Sequence, residues 1–485
     1  MVFNSITFLI FFPCVVFLYF ILPQKIRWIM LLIASYYFYM SWNAQLIFLI
    51  LFTTIVSYLS ALVIERYKKK SIQQAAMIAT LILTLGILVV FKYFNFLSHS
   101  VTAVLNWFSL PVHEVTKNLI LPVGISFYTF QTLSYVIDVY RGSIKAERHL
   151  GYYALFVSFF PQLVAGPIER PENLLPQLRK KHRWNTEDAA AGLRMMAIGF
   201  FKKMVVADLV APYVDAVYNN PSAANGLSIV IATILFTFQI YGDFAGYTDI
   251  AIGCSRIMGI RLRKNFNSPY ISESIKEFWG RWHISLSTWF RDYVYIPLGG
   301  SRCSKICYLR NIMIVFLTSG LWHGANWTFV LWGGLHGLYQ WIGILTKNIK
   351  RKIWKIIGIS EDSRFIHGVR RFTTFILVSF AWMFFRANSS QDLGILLQSF
   401  IHQWSMQGDY LVQSMQIMDI TWVEAAISVV SIAVMFRLDK EQRMLEQNNS
   451  IRVNMRYVYM VWIILLAWII LQAGNGTSAF IYFQF

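Results

Sequence analysis

The stretch "LTSGLWHGANWTFVLWGGLHG" (317–337) carries two imidazoles, His323 and His336, in an apolar run crowded with glycine. An imidazole titrates near neutrality, so a fixed one can take a proton from a hydroxyl and give it back, as a general base must. In hydrocarbon the same group is costly, because even the neutral ring wants a hydrogen-bond partner. Arg310 ends a basic cluster thirteen residues before His323, which a helical rise converts to roughly 20 Å of depth. Gly320, Gly324, Gly333 and Gly334 allow backbones to approach or a helix to break, and Trp322, Asn326 and Trp327 flank the imidazole. Breaks of this kind are tolerated in a membrane only beside protein or a cavity. The expectation is that His323 sits in a polar hole within the membrane.

Two other stretches carry polar groups where apolar ones would be cheaper. In "SESIKEFWGRWHISLSTWFRDYVYIPLGG" (272–300), Ser274 with Glu277 makes a capping box that starts a helix. Continued at helical spacing, Trp279, His283, Leu286, Phe290 and Tyr293 share one face, while Glu277, Arg281, Ser285, Thr288 and Asp292 lie on another. His283 is then either a packed core residue or a site residue. In "FQIYGDFAGYTDIAIG" (238–253), Gln239, Tyr241, Asp243, Tyr247 and Asp249 fall in a hydrophobic helix. An Asp at the centre of such a helix costs about 2.5–3.5 kcal/mol on insertion, so Asp243 is expected to face a cavity or a partner. Asp249, nearer the basic end, is expected to pair with Arg256 or Arg261.

The elements that must hold these groups follow from composition. Of 485 residues, 56% are hydrophobic and 14% charged, against about 25% charged in soluble domains. Runs long enough to cross a core of about 30 Å recur at 6–22, 27–41, 44–64, 74–94, 119–138, 190–210, 227–253, 311–323, 325–345, 371–386, 421–437 and 457–473. Strict alternation, the mark of a membrane barrel, is absent. The expected class is all-α and polytopic, with 11–12 spans in a single domain over 1–485. Residues 150–167 and 278–297 are apolar but have basic flanks on one side, so they are expected to be re-entrant or interfacial.

The net charge of +19 lies in short clusters such as Lys68–Lys70, Arg179–Arg183, Arg261–Lys264 and Arg302–Arg310. That is the pattern of cytosolic loops rather than of a nucleic-acid face. It orients both termini outside, and the first apolar run, with no basic residue before it, reads as a retained helix rather than a cleaved leader. Four cysteines have neither framework nor zinc spacing, so no metal site is expected. Polar groups at a broken membrane centre suit two classes: a transporter with discontinuous helices, or an enzyme with a buried site.

Further stretches complete a pattern: "LPVGISFYTFQTLSYVIDVYRG" (121–142), "FFPQLVAGPIERP" (159–171), "YGDFAGYTDIAIG" (241–253) and the tail "FIYFQF" (480–485). With the two histidine stretches, and in the same order, they resemble the membrane-bound O-acyltransferase (MBOAT) family, in its alginate O-acetyltransferase branch. Gly242 and Gly280 depart from the pattern, standing where a bulkier residue and an arginine are expected. The resemblance implies a cell-membrane protein with a central funnel and a cytosolic tunnel for acetyl-CoA. It makes His323 the catalytic histidine and His283 the second polar residue of the site. Transfer then runs toward an exported polysaccharide through an extracytoplasmic hydrolase-like (SGNH-type) partner; transfer of D-alanyl or another acyl group to teichoic acid or peptidoglycan is the related alternative. Site-lining candidates are Gln239, Tyr241, Asp243, Trp282, Trp322 and Asn326, and Arg261, Arg263 and Lys264 are candidates for attracting the donor's phosphates. Tyr482 in the tail is either an acyl relay or an interfacial aromatic anchor: a phenol's pKa of about 10 lies close enough to a thiol's for an aryl ester to keep much of a thioester's transfer potential.

Overall fold

Hydroxyl side chains inside apolar helices set the closest packing in the N-terminal half. On the helix Ile47–Arg66, Thr53, Thr54, Ser57 and Ser60 are buried. Ser57 donates back to the Thr53 carbonyl (2.6 Å) and accepts from the Tyr153 hydroxyl (2.7 Å), so its hydroxyl is satisfied in both roles. Ser60 donates across to the Ala76 carbonyl (3.0 Å) on the next helix. Small polar residues of this sort are what let helices approach where lipid gives them no hydrophobic reason to associate.

The computed structural model describes residues 1–110, 112–358, 360–447, 460, 462 and 463. Among these the regular structure is all helix, with no strand. In order, the helices are α1 (Ile6–Ile21), α2 (Gln24–Met40), α3 (Ile47–Arg66), α4 (Lys70–Leu88), α5 (Phe94–Trp107), α6 (Ile125–Tyr140), α7 (Leu150–Ser158), α8 (Phe160–Leu163), α9 (Pro171–Arg179), α10 (Thr186–Phe200) and α11 (Asp208–Tyr218). Then follow α12 (Gly226–Ile257), α13 (Ile275–Arg281), α14 (Ile284–Phe290), α15 (Lys305–His323), α16 (Trp327–Leu345), α17 (Lys347–Ile357), α18 (Arg364–Arg386), α19 (Ser390–His402), α20 (Tyr410–Ile417) and α21 (Trp422–Gln447). Among the described residues, four helical stretches are long and apolar enough to cross a membrane by themselves: 44–66, 70–107, 226–257 and 364–386. The helices α20 and α21 reach that length and apolarity only taken together, and they are bent by 77° at the break between them.

The chain divides into two compact units. Among the described residues, the first holds 1–197 and 247–263 with 460, 462 and 463, and in it α3 packs on α4 and α6, and α2 on α7. Among the described residues, the second holds 198–246 and 264–447, and its main contacts are α15 on α16 and α16 on α18. The long helix α12 supplies its first part to the second unit and its last part to the first.

The two segments expected to be re-entrant or interfacial are built of short helices. Residues 150–167 form α7 and α8, of nine and four residues, far short of the ~20 that a span requires. Residues 278–297 correct the expectation of one helical face. Ser274 does cap α13, accepting from the Glu277 amide (3.1 Å), and the Glu277 carboxylate accepts from the Glu273 amide (2.9 Å). The helix nevertheless ends at Arg281 and restarts at Ile284, so Trp279 and Phe290 belong to different helices. The cause is a fixed loop residue, Asn265, described below.

Candidate active site

The hairpin α15–α16 presents His323. Ser304 caps α15, accepting from the Cys307 amide (3.3 Å), and the helix runs for 19 residues to end on His323 itself. Gly324 leaves the helix in an extended conformation, and Asn326 caps α16 by accepting from the Thr328 amide (3.1 Å). The other end of the Asn326 side chain donates to the Asn388 carbonyl (2.9 Å), so this residue builds the turn. Gly320 and Gly333 are required where the two helices touch: a Cβ at Gly320 would lie 2.3 Å from the Phe329 carbonyl oxygen, and one at Gly333 would lie 2.3 Å from that of Phe316. The glycines of the opening stretch are thus contact points that bring Trp332 against His323.

His323 is only 3% exposed. Its ring is boxed edge-on by Trp322 (4.9 Å between centroids), Trp332 (5.0 Å) and Phe385 (5.3 Å). His283, fully buried, packs edge-on to the same Trp322 indole at 5.9 Å. One tryptophan therefore carries both imidazoles, although the sequence separates them by forty residues.

The orientation of His283 is set by Asn265, in the loop after α12. The Asn265 Oδ1 accepts from the Ser285 amide (3.2 Å), the Ser285 hydroxyl (2.9 Å) and His283 Nδ1 (3.1 Å). A backbone N–H can only donate, so the oxygen of the carboxamide must face it, and His283 Nδ1 is then the donor. This leaves the lone pair on Nε2. The Asn265 carbonyl also accepts from the Ile284 amide (2.9 Å). Held from three sides, His283 adopts a left-handed backbone, φ +43°, a conformation that costs energy for a residue with a Cβ and persists where the surroundings over-determine it. This is what breaks the helix between α13 and α14. Asn265 was not singled out from sequence, because it lies in a loop with no periodicity.

An aromatic wall surrounds both rings. Trp282 is fully buried against Trp382 (5.0 Å), Phe266 (5.1 Å) and Phe278 (5.5 Å). Phe244 of α12 meets His283 edge-on at 4.7 Å, and Tyr241, one turn away on the same face, reaches Trp282 at 6.1 Å. His336 is also fully buried and accepts at Nδ1 from Trp279 Nε1 (3.2 Å), so its hydrogen is on Nε2.

Asp243 lies off the Tyr241–Phe244 face. It pairs with Lys203 (2.8 Å), which also binds Asp208 (2.9 Å). Beside it Lys202 pairs with Asp439 (2.6 Å), and Asp439 accepts from the Tyr241 hydroxyl (2.6 Å). These charges sit on the π-helical turn Phe201–Ala207, where α12 comes close: a Cβ at Gly242 would be 2.8 Å from the Lys202 carbonyl, which is why no bulkier residue stands there. Gln239 Oε1 is buried without a hydrogen bond.

Of the donor candidates, Arg261 binds Asp188 (2.6 Å), as does Arg256 (3.3 Å), and the Arg263 amide donates to Glu169. Lys264 opens the loop that leads to Asn265. Tyr482 lies outside the described residues. Among the described residues no cluster of three or more metal-ligating side chains occurs, and all four cysteines are free.

Helices and site together define a helical membrane protein with histidines buried in an aromatic pocket. The chain belongs to the membrane-bound O-acyltransferase family, and it is an O-acyltransferase. The family's sequence profile matches residues 143–384. The chain is 38% identical to the "Probable alginate O-acetylase AlgI" of Azotobacter vinelandii, over 90% of this chain and 84% of that protein. It is 34% identical to the peptidoglycan O-acetyltransferase of Helicobacter pylori, over 75% of this chain and 71% of the relative. Over 47% of its length it is 33% identical to the teichoic acid D-alanyltransferase of Bacillus subtilis, of which it covers 60%.

Proposed function

We propose that the protein takes the acetyl group of acetyl-CoA from the cytosolic side and supplies it for O-acetylation of an exported, alginate-like polysaccharide. An extracytoplasmic hydrolase-like partner would complete the transfer. The breadth of the match to the alginate O-acetylase supports this choice over D-alanyl transfer, whose representative matches less than half of the chain. The observation that carries the chemistry is the pair His283 and His323 on one indole, with the tautomer of His283 held by Asn265.

In this reading a hydroxyl attacks the thioester carbonyl carbon while His323 takes its proton. The new C–O bond forms, the C–S bond breaks, and the departing thiolate recovers the proton as free coenzyme A. His283 orients the hydroxyl through Nε2, the nitrogen that Asn265 leaves with its lone pair. The box of Trp322, Trp332 and Phe385 keeps water off, which strengthens each polar contact inside. Tyr482 is the proposed relay, carrying the acetyl group as an aryl ester to the partner. Arg261, Arg263 and Lys264 are the proposed donor-attracting cations, and Arg261 would do so while also held by Asp188.

The test uses the full chain in proteoliposomes, with radiolabelled acetyl-CoA or a D-alanyl thioester as donor and free thiol as the readout. Thiol release with acetyl-CoA, and a labelled acetyl group on Tyr482 or on added glycan and partner, are expected. Preference for the D-alanyl donor would move the protein to the teichoic-acid branch. Solute flux without thioester cleavage would make it a transporter.

A further inference from the structure

Within the first unit, α1 forms one side of a long apolar groove. The cavity has a volume of about 580 Å³ and is walled by Phe12, Val16, Phe20, Leu193, Met196 and Trp462 among others. It follows α1 from Phe8 to Ile21, thirteen residues or about 20 Å of helix, against about 15 Å for one leaflet's hydrocarbon. A groove of that length and apolarity fits an acyl chain lying along the membrane normal.

The groove ends at a polar pocket of about 360 Å³, lined by Lys180, His182, Arg183 and Arg261 with Asn185 and Asp188. The two adjoin: Ile257 lines both, Trp184 of the groove follows Arg183 of the pocket, and Ala189 of the groove follows Asp188. Among the described residues the one carboxylate lining the pocket is Asp188, which is already held by Arg256 and Arg261. Lys180 and Arg183 make no ion pair among the described residues, so the pocket is cationic. Its rim is built rather than loose. Buried Arg27 donates to the His182 carbonyl (2.7 Å) and to that of Leu22 (2.9 Å), tying the 179–185 loop to the end of α1, and Trp184 packs edge-on to Phe20 at 5.3 Å. Asn185 accepts from the Glu187 and Asp188 amides (2.9 and 3.0 Å), starting α10 at the pocket wall.

We propose that this groove and pocket are one binding site for an anionic phospholipid of the basic-loop leaflet, its acyl chain along α1 and its phosphate between Lys180 and Arg183. A zwitterionic lipid such as phosphatidylcholine would fill the groove and bring a phosphate, but its own choline cation would compete with Lys180 and Arg183 for that charge. A soluble phosphate compound would fill the pocket but leave the groove empty. Only an anionic amphiphile matches both halves.

The experiment uses full-length protein in nanodiscs containing trace phosphatidylglycerol or phosphatidylcholine with a photoreactive group in mid-chain, mapped by peptide mass spectrometry. Phosphatidylglycerol is expected to label the peptides of 8–21 and 189–196 in preference to phosphatidylcholine. Removing a cation near a membrane surface weakens anionic lipid by about fivefold, so Lys180→Gln with Arg183→Gln should cut that labelling about 25-fold. Both positions are exposed, so the fold is expected to survive, as size-exclusion chromatography would verify. Val16→Trp, which fills the groove, should abolish labelling by either lipid at these peptides. Equal labelling by the two lipids, unmoved by the Lys180 and Arg183 changes, would reduce the groove to ordinary lipid contact and overturn the proposal. Protection of the 179–185 loop from hydrogen exchange by inorganic phosphate or acetyl-CoA, equal to that by phosphatidylglycerol, would assign the pocket to a soluble ligand and overturn it as well.

Discussion

Asn265 decides what His283 can do. Three donors converge on its Oδ1, and one of them is a backbone N–H whose direction is fixed, so the imidazole has no freedom of tautomer. In Asn265→Ala the imidazole can turn or exchange its proton, and turnover is expected to fall by at least about tenfold, less than the loss of a general base itself. Asn265→Asp keeps an acceptor toward Nδ1 and should restore a measurable part of the activity with a changed pH–rate profile. Steady-state kinetics across pH on both variants checks this; equal and complete loss in both would point to a folding role instead. His323 and His283 were visible in the sequence because a polar group in an apolar run is expensive and therefore informative. Asn265 was invisible for the opposite reason: an asparagine in a short loop is commonplace, and only its three contacts give it a role. Asp243 stood out by the same cost argument as the histidines, and its partner is Lys203 on the π-helical turn.

At the scale of elements, glycine spacing translated well into structure. Gly320 and Gly333 mark where α15 and α16 touch, whereas Gly280 has nothing within 4 Å of a would-be Cβ. Gly320→Ala is therefore expected to cost about 1–3 kcal/mol through overpacking, and Gly280→Ala to be neutral or slightly stabilising through helix propensity. Thermal unfolding in detergent separates the two. The break at His283 was not readable, because apolar spacing at 3.6 residues continues through it and the residue that interrupts it lies in another segment. A second element has a pH signature. Glu169, in the loop between α8 and α9 and outside the apolar spans, is fully buried, and desolvation pushes its carboxyl up to about 7 despite Arg263 and Asn173. The folded state thus holds this proton more tightly than the unfolded state does. The resulting stability is complete below about pH 4.5 and is lost as pH rises through about 7, an effect of about 3 kcal/mol. The thermal midpoint should accordingly fall between about pH 5 and about pH 8, and Glu169→Gln should flatten that fall; an unchanged slope in the variant would exclude Glu169 as its source.

At the scale of the whole molecule, charge placement and helix packing answer different questions. Composition and basic clusters identified a polytopic helical membrane protein, and the family match agrees. They said nothing of the division into two compact units, since contacts between distant segments leave no local mark on the sequence. The basic clusters do predict sidedness, and the chain carries its own probes. Cys303 and Cys307 are partly exposed free thiols in the cluster 302–310, expected on the cytosolic side. An impermeant maleimide should leave them unlabelled in intact spheroplasts and label them after lysis; labelling before lysis would invert the topology. The central claim is that His323 cleaves the donor thioester, and single-turnover release of free coenzyme A from acetyl-CoA tests it most directly. With His323→Ala that retains wild-type helicity and elution, release should fall by about 10²–10⁴-fold. Release at the wild-type rate would contradict the assignment.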